Sequence, residues 1–311
     1  MKTYTLRDWA SGLTALMLTS VGMTLPAITF AVQDDTPRIA VVSAYAPEMV
    51  ILKGELDNAA VHSLNGVEFS TGRLQERDVV LFLSGISVVN AAMTVQLALD
   101  RFNVKQIVFS GIAGGIDPAL HIGDVVIADR WGQYLESLFA RKVEGGWKKP
   151  DFFEYPYANF GMMFPRSVTV QRAGADAPET RFWFPVDESL LAYARQAVAD
   201  VTLNHCAAEN TCLDYMPKIV IGGSGVSGGA FIDNADFRDY TFKTFDAHVL
   251  DMESAAVAHV AYANDVPFIA IRSLSDLAGG DEAGNQLEIF FGLAADNAAE
   301  VVKALLRAIP E

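Results

Sequence analysis

The chain has 311 residues, 51% hydrophobic and 20% charged, the proportions of a packed globular protein and not of a disordered or fibrous one. Its 23 Lys and Arg against 38 Asp and Glu leave a formal charge of −15, a field that repels polyanions and disfavours nucleic acid as a partner. Two cysteines are too few for a disulfide scaffold or a Cys-rich zinc site; with neither CxxC nor HExxH present, no metal centre is expected.

The first element in chain order is an uncharged stretch from Trp9 to Gln33, preceded by Lys2 and Arg7, the layout of an export signal. Thr29 and Ala31 put small residues at the −3 and −1 positions of a cut before Val32. Residues 1–31 therefore read as a signal peptide and 32–311 as a single mature domain. An uncleaved N-terminal anchor is the rival, since about 20 apolar residues span a bilayer, although Pro26 and the scattered Thr and Gly weaken it. Either way the folded part is expected outside the cytoplasm, periplasmic or secreted. An oxidising compartment permits Cys206 and Cys212 to pair.

In the mature chain, short Val- and Ile-rich runs at 38–44, 79–85, 106–111, 124–129, 218–223 and 267–273 read as buried strands. Helical patterns follow at 48–56, 88–102, 187–201, 252–264 and 287–309. This alternation predicts an α/β fold, a three-layer α/β/α sandwich with a mixed, mainly parallel central sheet, in which ligands bind where strands end. Region 141–185, aromatic and Pro-rich, has no clean period and reads as an irregular, partly buried excursion.

Glycine clusters offer backbone N–H groups to a ligand: Ser84-Gly85, the run Gly111 to Gly115 containing Ala113 and Gly114, and GGSGVSGG at 222–229. None is a dinucleotide fingerprint or a P-loop, and glycine after a strand is often only a tight turn. Carboxylates are more telling. Asp276 follows an apolar strand, Glu253 opens a helix after the apolar HVL, and Glu48 begins the helix after the first strand, so three acids ring one sheet edge. Each could singly be a helix-start carboxylate favoured by the macrodipole. The five histidines show no metal-ligand spacing, His259 reads as a packed residue, and no G-x-S-x-G elbow is present.

The segments RIAVVSAYAPEM, VFSGIAGGIDPALHIGDVVIAD, SGGAFIDN and LDMESAAVAHVAYANDVPFIAIRSLSD resemble the nucleoside phosphorylase and nucleosidase superfamily, and within it the 5′-methylthioadenosine/S-adenosylhomocysteine nucleosidases. The resemblance implies that Asp276 protonates purine N7 with Ser275 beside it. It also implies that Glu48 activates water, Glu253 holds ribose hydroxyls over Met252, and Phe231 stacks on the base while the Ile232 backbone reads its edge. Ser84, Gly85, Ala113 and Gly114 complete the expected substrate site. Breaking an N-glycosidic bond puts negative charge on the departing purine and positive charge on the ribosyl carbon. An acid at the base and a base across the sugar are therefore needed, as in inverting glycosidases. Phosphorylases of this superfamily hold phosphate with arginines, and one of these positions is Phe109 here, which favours hydrolysis. The expectation is an exported purine nucleosidase without cofactor, acting on a small-molecule nucleoside, with a homodimer implied by relatives that complete their pockets across subunits. A purine nucleoside phosphorylase and a nucleoside-binding or storage protein with little turnover are the alternatives.

Overall fold

The computed structural model describes residues 34–281 and 284–310, and the expected signal or anchor lies outside the described residues. Twelve strands make the main sheet: β1 (Asp34–Ser43), β2 (Asp57–Leu64), β3 (Val67–Leu74), β4 (Arg77–Leu83), β5 (Phe102–Gly115), β6 (Val125–Ile127), β7 (Arg130–Gln133), β8 (Trp183–Pro185), β9 (Ile219–Ile221), β10 (Ser224–Ser227), β11 (Ala247–Asp251) and β12 (Phe268–Asp276). They run in the order β8-β7-β10-β11-β5-β1-β4-β3-β2, with β12 pairing β5 and β6, and β9 joining β6. The sheet is mixed. Pairs β1–β4, β1–β5, β5–β12, β7–β10, β10–β11 and β6–β9 are parallel, whereas β2–β3, β3–β4, β7–β8, β5–β11 and β6–β12 are antiparallel.

The helices are α1 (Ala46–Gly54), α2 (Val88–Arg101), α3 (Glu188–Ala197), α4 (Ala235–Phe245), α5 (Ser254–Ala263) and α6 (Leu287–Ala308). One group packs α1 and α3 on α6, and the other packs α2 on α5, giving the three-layer sandwich. Strands covered on both faces need continuous apolar runs, and every residue of β12 is buried, as are the last five of β1. In α2 the buried positions Ala91, Thr94, Val95 and Ala98 recur at helical spacing, which lets one stripe face the core. Helix α3 starts where the Asp187 carboxylate accepts from the N–H groups of Ser189 and Leu190. Among the described residues no helix is long and apolar enough to cross a membrane.

Strand β5 determines where the site lies. It is parallel to β1 and β12 along most of its length, and its last two residues, Gly114 and Gly115, pair antiparallel with Leu250 and Val249 of β11. The C-terminal ends of β1, β5, β11 and β12 thereby converge, the place where ligands bind in open α/β sheets.

Several elements lie outside the sequence expectation. β2 and β3 form a hairpin whose outer strand is largely exposed and polar, so it lacks the apolar run of a central strand. The glycine-rich 222–229 segment contains a buried strand, β10, in which a Cβ at Gly225 would come 2.6 Å from Trp131; glycine there is close packing and not only a turn. The excursion resolves into small antiparallel pairs, 137–139 with 163–165, 141–143 with 146–148, and 168–170 with 179–181, before β8 rejoins the sheet. Cys206 and Cys212 are bridged within a short hairpin.

Candidate active site

A cavity of about 320 Å³ opens at the convergent strand ends. It gathers Glu48, Ala113, Gly114, Phe231, Ile232, Met252, Glu253, Ser275 and Asp276, nine of the expected site residues, so both expected catalytic carboxylates face one space. Ser84 and Gly85 do not line it; they border a neighbouring groove of about 950 Å³, which shares Ala44 and Tyr45 with the cavity. In the segment after β4 it is Ile86 that reaches the cavity.

Asp276 closes β12 and is therefore at a strand terminus, not in the following loop. Its Oδ1 accepts the Ala278 N–H at 2.8 Å, and its Oδ2 accepts the Ser275 hydroxyl at 3.0 Å. Burial pushes its pKa up, against these two hydrogen bonds, with Asp281 and Asp233 adding to the rise. Gly114 lets it sit close, since a Cβ there would lie 3.2 Å from Asp276 Oδ1.

Glu48 lies in the first turn of α1, buried, with three backbone N–H groups on its carboxylate: Ala44 and Tyr45 donate to Oε2 at 2.9 and 2.8 Å, and Ile112 to Oε1 at 3.0 Å. Burial raises its pKa, opposed by Arg272 and these three donors. Glu253, at the N-cap of α5, accepts the Ser87 N–H at 2.7 Å. Burial first and then the neighbouring Asp251 raise its pKa to about 7, with Arg272 and the Ser87 N–H pulling the other way and Glu48 adding to the rise.

Arg272 is the participant that the sequence reading passed over. It is wholly buried in β12, its Nε 2.7 Å from Asp251 Oδ2 and donating to Ser254 Oγ at 2.9 Å. Its guanidinium stacks 4.0 Å above the Phe109 ring. Nη2 is 4.0 Å from Glu253 Oε2, and neither Nη1 nor Nη2 finds a hydrogen-bond acceptor among the described residues. Phe109 consequently does not line the cavity; it is fully buried beneath this cation. The sequence signal was there in an arginine inside an otherwise apolar strand, a position that almost always demands a partner.

The remaining candidates are structural. His259 stacks on Phe184 with ring centres 4.3 Å apart and contacts Gln133, and burial lowers its pKa. His205 approaches Cys206 and Cys212, but both sulfurs are occupied by the bridge, which leaves no thiolate for a metal.

This geometry can be set beside known proteins. The model of the Phosphorylase superfamily matches residues 38–309. The 5′-methylthioadenosine/S-adenosylhomocysteine nucleosidase of Mycobacterium tuberculosis is 30% identical over 271 residues, covering 86% of this chain and 96% of that protein. Among solved structures, that of the same-named nucleosidase of Colwellia psychrerythraea in complex with adenine matches with a TM-score of 0.66 at 25% identity, covering 87% of this chain and 95% of the other. A native futalosine hydrolase of Helicobacter pylori shares the fold, with a TM-score of 0.65 at 23% identity over 89% of this chain and 99% of the other. The chain thus belongs to the phosphorylase superfamily.

Proposed function

We propose that the protein hydrolyses the N-glycosidic bond of a purine nucleoside of the 5′-methylthioadenosine/S-adenosylhomocysteine type, releasing free base and sugar. The observation that carries this reading is one cavity lined by Asp276 and Glu48 together, two buried carboxyls with opposite tasks. Asp276, whose pKa burial raises, is placed to give a proton to N7 of the departing purine. Glu48, whose pKa burial raises against the pull of Arg272 and three N–H donors, is placed to take the proton of a water that attacks the ribosyl carbon. The free Nη1 and Nη2 of Arg272 are suited to hold that water. Glu253 accepts from ribose hydroxyls above Met252, and Phe231 with Ile232 receives the base.

Water is favoured over phosphate by charge. Arg272 is the cation here, and it is outnumbered by Asp251, Glu253 and Glu48 around it. A phosphate dianion would enter against that excess.

A homodimer fits the surface beside the cavity. Tyr45, Val50 and Met93 line the shared groove 49–66% exposed, and Ile86 after β4 and Val89 in α2 are exposed as well, a patch suited to a second copy of the chain. Export is supported by the uncharged 9–33 stretch and by the Cys206–Cys212 bridge, which suits an oxidising compartment. N-terminal sequencing of protein recovered from its producing cell is expected to begin at Val32; an intact Met1 on a cytoplasmic protein contradicts export.

The deciding assay incubates the mature protein with methylthioadenosine, S-adenosylhomocysteine, adenosine and inosine, with and without phosphate. Base release from the thio-nucleosides independent of phosphate is expected. Release only with phosphate identifies a phosphorylase, and release from none identifies a binding protein.

A further inference from the structure

We infer that Asp251 is a positioning residue for the reaction, holding Arg272 and Glu253 in place without itself touching the nucleoside. Asp251 ends β11 and borders the cavity, yet its carboxylate is already fully engaged. Oδ1 accepts the Ser227 hydroxyl and the N–H groups of Glu253 and Ser254, each of the latter at 3.1 Å. Oδ2 accepts the Ser254 hydroxyl at 2.5 Å and faces Arg272 Nε at 2.7 Å. A carboxylate offers about four lone-pair sites, so the four hydrogen bonds from Ser227, Glu253 and Ser254, with Arg272 against Oδ2, leave none for a ribose hydroxyl.

What Asp251 does is transmitted through two neighbours. A guanidinium is a rigid planar fork, and fixing Nε dictates where Nη1 and Nη2 lie. With Nε held by Asp251 and Ser254, the open nitrogens fall between Glu48 and Glu253. One sign of this is that a Cβ on Gly111 would meet Arg272 Nη1 at 2.1 Å and Glu48 Oε1 at 2.7 Å. The same carboxylate binds the backbone of Glu253 and Ser254 at the start of α5, which fixes the root of the Glu253 side chain. The charges facing Glu253 are Asp251 and Glu48, which raise its pKa, and Arg272, which lowers it, beside the Ser87 N–H. Removing the Asp251 charge and releasing Arg272 toward Glu253 act in the same direction, both easing ionisation of Glu253.

The inference rests on the proposed hydrolysis, so its test includes a readout independent of turnover. Wild type, Asp251→Asn and Ser254→Ala are compared for kcat and KM with methylthioadenosine from pH 5 to 9. Calorimetric affinity for 9-deazaadenosine, whose C-glycosidic bond cannot be cleaved, is measured over the same range. Asp251→Asn is expected to lower kcat by about 30-fold or more, and to move the pH below which analogue affinity is lost, near 7 in wild type where Glu253 takes up its proton, downward by about half a unit or more. Ser254→Ala keeps the charge and loses the hydroxyl joining Asp251 to Arg272; kcat falls by roughly 3- to 10-fold with the affinity limb unmoved. A folded Asp251→Asn with kcat near wild type, or with reduced kcat and an unmoved limb, overturns the assignment. Should Asp251→Asn fail to fold, an unimpaired Ser254→Ala overturns it. If wild type releases no base, the proposed hydrolysis fails, while the analogue limb in Asp251→Asn still decides the positioning role.

Discussion

Asp276 and Glu48 are both buried carboxyls of one cavity, with pKa values raised by burial, and substitutions at each should separate the tasks proposed for them. Asp276→Asn keeps the shape and removes the transferable proton, so kcat is expected to fall by at least about 10² with melting temperature little changed. Near-normal kcat would mean that another group protonates the leaving base. Glu253 yields a stability prediction. Its pKa is raised from 4.5 to about 7 in the folded state, so the unfolded chain gives up this proton at lower pH than the native one does. Its contribution is therefore favourable at low pH and is lost as pH rises through about 7. Glu253→Gln should melt higher than wild type at pH 8, with a smaller difference at pH 5, while binding nucleoside more weakly; thermal melts at the two pH values check this. Ser87 presents its N–H to Glu253 from a backbone with φ 82° and ψ 157°, a region that belongs almost to glycine alone. Such strain costs about 1–3 kcal/mol, and Ser87→Gly should raise the melting temperature, a result readable by calorimetry.

At the scale of elements, strands β1, β4, β5, β6, β9 and β12 and five of the six helices were legible because continuous Val and Ile runs and 3.6-residue stripes carry their own signal. What escaped was set by tertiary packing. β10 consists of Ser-Gly-Val-Ser, unremarkable until Trp131 covers Gly225, and helix α4, ADFRDYTFKTF, carries its apolar residues among charges. Arg272 was missed for a related reason: its meaning depends on Asp251, Glu253 and Phe109, which arrive from β11, the turn into α5, and β5. The tight meeting of β5 with Glu48 and Arg272 makes Gly111 a test of element placement. Gly111→Ala should lower kcat by at least about tenfold, because a methyl there displaces Arg272 and Glu48, the two side chains to which the proposed reaction assigns the attacking water. Gly292→Ala in α6, with nothing within 4 Å of the added carbon, should instead stabilise by about 1 kcal/mol and leave kcat unaltered.

For the molecule as a whole, the sheet order explains why a chain of net charge −15 carries its chemistry at a single edge. The pairing of β5, parallel with β1 and β12 and antiparallel with β11, is what draws Glu48, Asp276 and Glu253 from distant parts of the sequence to one cavity. The acid trio at a sheet edge could be read from sequence, since each acid sits next to a recognisable strand or helix start. The cavity's limits could not, because Ser84 and Gly85 face the adjoining groove by the turn of the chain after β4. The central claim, water delivered to the ribosyl carbon between Glu48 and Asp276, is tested most directly by isotope. Methylthioadenosine is turned over in H₂¹⁸O with phosphate present, and the released sugar is examined by mass spectrometry. One ¹⁸O at the anomeric hydroxyl, abolished in Glu48→Gln with analogue binding retained, is the predicted result; an unlabelled sugar 1-phosphate, or labelling undiminished in Glu48→Gln, contradicts it.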